Sequence, residues 1–312
     1  MRLELFFKTA AELNLLLQNS KTLGIHPYLS KVNLANKAKN ERKDLLKSAS
    51  TILRWSADDD LEQDICLHYS MKNNKAKTVQ ESVEMFTDFL KQASSISSSS
   101  SSRYVREVLL CSGGGKEKPV ADTIEVLKTL PLSSIPTNVS LGVAFNPYEV
   151  DIQNENRRLK EKLLYNVDRV YLQFGSDLIK LKEGMEFILE LNRERSLDGK
   201  DPLKVVGSVM IPSKQLLARF RFRPWAGLML SEEFLNNIDV ADKTVRDLLV
   251  IYREYDVEPL VETAINEKNF AYFKDLLDFN EVEFPKNANK VAKTKLSKLE
   301  NGVMPRKKVR KV

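Results

Sequence analysis

Val139-Ser140-Leu141-Gly142-Val143-Ala144-Phe145, the segment Glu155 to Tyr165, and Arg169-Val170-Tyr171-Leu172-Gln173 follow one another along the chain. The two outer runs are short, almost wholly apolar and rich in β-branched or aromatic residues, as strands covered on both faces are. The middle segment has the polar and apolar spacing of an amphipathic helix. A strand, a crossover helix and a second strand make one parallel βαβ unit.

The same unit recurs on either side. Further strands are predicted at Leu3 to Phe7, Tyr28 to Leu34, Ile65 to Tyr69, Val108 to Cys111, Lys204 to Val209 and Val257 to Val261, which brings the total to eight. Helical patterns fill the gaps: Ala11 to Leu17, Lys43 to Leu53, Ser82 to Leu90, Asp122 to Leu130, Leu178 to Leu191 and Val245 to Tyr255. Eight alternating units predict an α/β fold, a single (β/α)8 TIM barrel over residues 1–280, followed by a basic tail over 281–312. Trp225 to Leu230 is a ninth apolar run and is assigned to an elaborated connection between strands seven and eight. Ser94 to Ser102, interrupted by Ile96, is low in complexity and reads as a mobile surface loop. A domain boundary there is the other reading, but the βα rhythm resumes directly after Arg103.

The 312 residues are 42% hydrophobic and 29% charged, with a net charge of +6. That is a globular composition. The excess charge is local: Lys286 to Val312 holds ten basic residues and one acid, Glu300, so the remainder is slightly acidic. Cys66 and Cys111 both sit in apolar runs and read as buried thiols, not as a disulfide or metal pair. With two histidines and no Cys-x-x-Cys, no zinc constellation is expected. No run of about 18 apolar residues suggests a membrane span. Leu3-Glu4-Leu5-Phe6-Phe7 carries an acid within its apolar stretch and leads into a helix, unlike a signal peptide. A cytoplasmic protein is expected.

In a barrel of this kind the working residues lie at the carboxyl ends of the strands and in the loops that follow. Glu4 either reaches the barrel mouth or is an exposed residue near the terminus, and both readings stand. Gln173 ends the sixth strand, where its amide offers donors and an acceptor to a heterocycle or to a neighbouring loop. His68 ends the third strand and suits a general acid, a flavin contact or a structural role. Ser112-Gly113-Gly114-Gly115-Lys116 has the look of a phosphate-cradling turn but lacks the Gly-Lys-Ser/Thr ending of a P-loop.

Leu159-Lys160-Glu161-Lys162-Leu163 followed by Asp168-Arg169-Val170-Tyr171-Leu172-Gln173-Phe174 resembles the methylenetetrahydrofolate reductase family, whose barrels bind FAD and reduce a folate. Leu3-Glu4-Leu5-Phe6-Phe7, Gly142 to Pro147, Val206 to Pro212 and Glu262 to Asn266 are similar to its first, fifth, seventh and eighth strands, so the likeness spans about residues 1 to 275. The resemblance implies Glu4 as proton donor, Gln173 as substrate contact, and Glu155 and Lys162 as contacts to FAD, with Lys162 on the phosphate. Asn146 takes the place of a flavin-contacting tyrosine, and His68 is added as a flavin contact. Departures are specific too. The fourth strand runs into Cys111-Ser112-Gly113 where the family has Arg-Gly-Asp, and Lys8 and Thr9 replace the prolines after the first strand. The implied function is a flavin-dependent oxidoreductase acting on a folate or related heterocycle in one-carbon metabolism. The rival is a barrel without catalysis that binds flavin or folate, or serves as an interaction scaffold.

Arg219-Phe220-Arg221-Phe222-Arg223-Pro224-Trp225 raises nucleic-acid binding through alternating Arg and Phe. The preferred reading packs Phe220 and Phe222 inward with solvated arginines. Pro305 to Val312 resembles a basic nuclear-import signal, which would add an import receptor as partner and the nucleus as a location. A solvated basic tail is the other reading.

Overall fold

A computed structural model describes residues 1–35, 42–58, 63–96, 105–113, 119–264, 266 and 268–282. Eight parallel strands close into one barrel in sequence order: β1 Arg2–Leu5, β2 Lys31–Leu34, β3 Asp64–Ser70, β4 Val105–Cys111, β5 Ser140–Phe145, β6 Arg169–Leu172, β7 Lys204–Val209 and β8 Glu258–Val261. Closure runs through Leu3, which is in register with Val32 of β2 on one side and Val261 of β8 on the other. All eight predicted strands are present, so the predicted TIM barrel is the observed fold.

Alternation along each strand divides the side chains between two environments. Leu3, Leu5, Val32, Leu34, Ile65, Leu67 and their equivalents point outward and are buried beneath the helices. The covering helices are α1 Ala10–Asn19, α2 Arg42–Asp58, α3 Val79–Ser95, α4 Thr123–Thr129, α5 Ile152–Lys162, α6 Leu178–Leu197, α7 Lys214–Phe222, α8 Glu232–Asn236, α9 Ile238–Glu254 and α10 Phe270–Val282. Val83, Phe86, Phe89 and Leu90 form the buried face of α3, and Tyr69 of β3 packs on both phenylalanine rings at 4.9 and 5.0 Å.

Most loops leaving the carboxyl ends of strands finish in a polar N-cap, which satisfies the first free N–H groups of the next helix. Thr9, Thr78, Asp122, Asp151, Asp177 and Ser213 fill this role. Asp122 and Glu125 complete a reciprocal capping box, which explains why the short α4 starts sharply.

Several details differ from the sequence reading. Tyr28 to Ser30 belong to a 3-10 turn, His26–Ser30, because Pro27 favours its first positions, and β2 starts only at Lys31. Phe6 and Phe7 lie beyond β1. The helix expected from Glu155 starts at Ile152, capped by Asp151, and ends at Lys162. Trp225 to Leu230 does lie in the connection between β7 and β8, with α7 before it and α8 and α9 after it. Phe222 is a correction: Phe220 is buried against Trp225, but Phe222 is 93% exposed at the end of α7. Two positions on a helix are about 200° apart, so the two phenylalanines cannot share its buried face. The serine run after Ile96, Gly114 to Lys116, and the basic tail from residue 283 lie outside the described residues.

Candidate functional site

The barrel interior is layered. Its amino-terminal floor is ionic. Arg2 is fully buried and donates from Nε to Glu258 at 2.9 Å, and from Nη2 to Asp64 at 2.7 Å and Glu107 at 3.3 Å. Arg169 meets Glu107 at 3.2 Å and Lys31 meets Glu258 at 2.6 Å. The three cations Arg2, Lys31 and Arg169 therefore balance the three carboxylates Asp64, Glu107 and Glu258. Burial raises the Glu107 carboxyl to about 7 despite the pull of Arg2 and Arg169. At Glu258 burial pushes the same way, but Arg2 and Lys31 outweigh it and hold that carboxyl at about 2.

Above the floor lies an apolar layer of Cys66, Leu109, Tyr171, Val206 and Leu260, drawn from five strands. The carboxyl-end mouth comes next. Glu4 leaves β1 into it, and its Oε2 stands 3.9 Å from Nδ1 of His68 on β3. Both side chains are mostly covered, at 10% and 13% exposure. The His68 ring lies edge-on to Tyr171 of β6 at 6.2 Å, a contact made across the interior, and its Nε2 lies 2.9 Å from Nδ2 of the buried Asn33 on β2. Opposite Glu4, the inward-facing Ala144 of β5 is exposed although it stands in register with buried Tyr171. Solvent therefore enters the barrel as far as the apolar layer.

Gln173 follows β6 on the same side as Ala144 and is half-buried; its Oε1 accepts the Phe174 N–H at 3.1 Å. The β7 to β8 connection passes over it, with Gly227 placed so that a Cβ there would lie 3.1 Å from Gln173 Nε2. On the remaining wall, Ser208 of β7 donates to Glu262, just past β8, at 2.6 Å. Leu3 pairs with Val261, so Glu262 is the next position beside Glu4. Of the residues predicted for the site, Glu4, His68 and Gln173 come together at this mouth.

Glu155, Lys162 and Asn146 form a second group at the end of β5, linked to the Gln173 side of the mouth through Gly227. Lys162 is buried at the end of α5, where Nζ donates to the Ala144 carbonyl at 2.8 Å and faces Glu155 at 4.0 Å. Burial lowers its pKa against the opposing pull of Glu155. Glu155 also accepts the Asn146 N–H at 3.2 Å, and the Asn146 side chain donates to the Gly227 carbonyl at 3.2 Å. Gly113 begins the predicted phosphate turn at φ +87°, and a Cβ there would come within 2.6 Å of Ser70 Oγ, so this position requires glycine.

The thiols do not supply a nucleophile. Cys66 is fully buried and Cys111 partly so, and burial pushes both upward, Cys111 to about 11, which keeps them protonated near neutrality. Among the described residues no group of three or more His, Cys, Asp or Glu is arranged to hold a metal ion. None of the described helices is long and apolar enough to cross a membrane.

The sequence reading overlooked Arg2, Asn33, Glu107, Ser208 and Glu262 as interior residues. Asn33 was detectable, being the one polar residue in Val32-Asn33-Leu34 at an inward position. Arg2 and Glu107 fell just outside the predicted strand starts, which were placed at the first apolar residue.

No family model and no curated protein matches the chain. Solved structures do. An uncharacterized protein from Clostridium thermocellum that binds two copies of 5-methyl-5,6,7,8-tetrahydrofolic acid aligns over 90% of this chain and 91% of its own, with a TM-score of 0.55 and 9% identity. A mutant protein in complex with xylotriose aligns over 86% of this chain and 85% of its own, with a TM-score of 0.52 and 10% identity. Neighbours this distant, with unrelated ligands, share the architecture only, and the chain is a TIM barrel by both its topology and these likenesses.

Proposed function

We propose that this barrel binds a reduced folate or a closely related pteridine in its carboxyl-end mouth. The observation that carries the reading is the convergence of Glu4 and His68, 3.9 Å apart, on a solvent-entered cup whose opposite wall bears Gln173. A carboxylate, an imidazole and an amide offer acceptors and donors to the polar edge of a flat heterocycle, while Tyr171 and Leu109 below supply an apolar floor. The folate bound by the Clostridium thermocellum barrel and the resemblance of Glu4 and Gln173 to the methylenetetrahydrofolate reductase pattern point the same way.

The flavin implied by that resemblance does not fit the residues present. Its phosphate anchor, Lys162, is buried and engaged by the Ala144 carbonyl and Glu155, and Asn146 is tied to Gly227. The fourth strand runs into Ser112-Gly113 in place of the family's aspartate. The barrel is then a pteridine binder in which Glu4 accepts from a ring N–H and Gln173 holds the far edge.

Isothermal titration with 5-methyltetrahydrofolate tests it. Saturable binding is expected, weakened by about tenfold or more in Glu4→Gln, equivalent to at least ~1.4 kcal/mol. An absence of heat at millimolar ligand, with the protein folded, overturns the reading. Added FAD is expected to leave the melting temperature unchanged.

A further inference from the structure

The buried floor and the mouth are joined by one polar thread. Arg2 Nη1 donates to Asn33 Oδ1 at 3.2 Å, and Asn33 Nδ2 lies 2.9 Å from His68 Nε2. A guanidinium has only donors, so the amide must turn its oxygen toward Arg2 and its NH2 toward His68. His68 Nε2 must then accept with its lone pair. A neutral imidazole with one nitrogen accepting carries its proton on the other. That nitrogen, Nδ1, is the one facing Glu4.

We infer that Arg2 and Asn33 lock His68 as the neutral Nδ1–H tautomer, so that the mouth presents an imidazole donor beside the Glu4 carboxylate and selects a ring edge carrying an acceptor next to an N–H donor. This deepens the pteridine reading and rests on it for the ligand class, which becomes a lactam-bearing heterocycle.

Two features make the lock rigid. Turning the Asn33 amide over would set its NH2 against the Arg2 guanidinium, donor against donor, inside a fully buried site. Arg2 in turn cannot swing away, because Asp64, Glu107 and Glu258 hold it on three sides. A proton added at His68 Nε2 would likewise meet the Asn33 NH2. Glu4 from β1 and Tyr171 from β6 also face the ring, and burial keeps the Tyr171 phenol protonated and uncharged. Asn33 is thus a positioning residue. It touches no ligand, but it decides which hydrogen-bonding face His68 shows.

The chain has two histidines, His26 and His68, so a long-range 1H–15N spectrum of the imidazoles is simple to assign with His26→Gln as the reference. Ligand-free wild type is expected to give the Nδ1–H pattern for His68. Asn33→Asp, whose carboxylate accepts where the amide donates, should move the proton to Nε2, and Asn33→Ala, should the first variant not fold, should give a mixture of tautomers. An Nε2–H pattern or a mixture in wild type overturns the lock, and needs no variant to do so.

Ligand choice is tested separately by titrating 5-methyltetrahydrofolate against a 2,4-diaminopteridine, in which an amine replaces the lactam carbonyl. The lactam should bind at least about tenfold tighter in wild type, with the ratio falling toward unity in Asn33→Asp. Equal affinities, or a preference for the diamine, overturn the selection. If no pteridine binds while the Nδ1–H pattern persists, the pteridine reading fails and the tautomer lock stands.

Discussion

At the amino-terminal end of the barrel, Arg2, Asp64, Glu107, Arg169 and Glu258 close on one another with contacts of 2.7 to 3.3 Å. At the carboxyl end, Glu4 and His68 stand 3.9 Å apart, and Glu262 rather than a cation follows Glu4 across the strand pair. The two ends draw on the same alternation of inward side chains and on similar residue types. They differ in where the polar groups find their counterparts. The floor is an ionic network whose charged groups meet one another across the interior, with Glu107 fully buried between Arg2 and Arg169. The mouth sets Glu4, His68 and Gln173 around a solvent-entered cup, the arrangement that a ligand can exploit.

The sharpest way to break this comparison is at Arg2. Arg2→Met removes the cation shared by three carboxylates and leaves Glu107 fully buried with Arg169 alone. Losing one partner of a buried ion network costs about 3–5 kcal/mol, so a large fall in the urea midpoint is expected. A loss no greater than that from Glu4→Gln would show that the two ends are energetically alike. Gly142→Ala probes the boundary between floor and apolar layer. Its Cβ would sit 2.9 Å from the Tyr171 ring and 3.3 Å from Glu107 Oε1, both held in a packed interior. Overpacking of this kind costs about 1–3 kcal/mol by the same denaturation assay, and an unchanged midpoint would mean that Tyr171 has room to retreat.

The difference between the ends also accounts for what the sequence reveals. The barrel was legible because each strand is buried on its outer face by helices and on its inner face by other strands. Eight apolar runs such as Val139 to Phe145 and Lys204 to Val209 then stand out against amphipathic helices. Glu4, His68 and Gln173 were legible because each is a polar residue within or at the end of such a run. The floor was not, since Arg2 and Glu107 precede the apolar residues by which strand starts are recognised, and pairing across 105 positions, as between Arg2 and Glu107, leaves no local pattern. Nor was the engagement of Lys162 by the Ala144 carbonyl, because spacing along α5 fixes the face of the helix but not the carbonyl that its side chain reaches.

The floor also makes a pH signature. Folded Glu107 keeps its proton up to about 7, whereas the unfolded chain releases it at the ordinary 4.5. The folded state therefore binds more protons between those values, and stability falls as pH rises through that window. Glu258 works in the other sense: held at about 2 when folded, it contributes stability above 4.5 that is lost as pH falls toward 2. Urea midpoints measured from pH 3 to pH 8 should accordingly pass through a maximum near the ordinary carboxylate range, on the order of pH 5. Glu107→Gln is expected to flatten the neutral limb and leave the acid limb in place. A neutral limb of undiminished slope in that variant would assign it to some other group.

The smallest effect on stability is expected where the effect on binding is largest. Glu4 is a largely covered side chain at the mouth, with its Oε2 3.9 Å from His68 Nδ1. Replacing it with an isosteric amide keeps the packing, so Glu4→Gln should change stability by less than about 1 kcal/mol. A Glu4→Gln of little-changed stability that has lost pteridine affinity, set against an Arg2→Met that is badly destabilised, would separate the working end of the barrel from its foundation. A Glu4→Gln as damaging as Arg2→Met would place Glu4 in the foundation too and remove the main support for a site at the mouth.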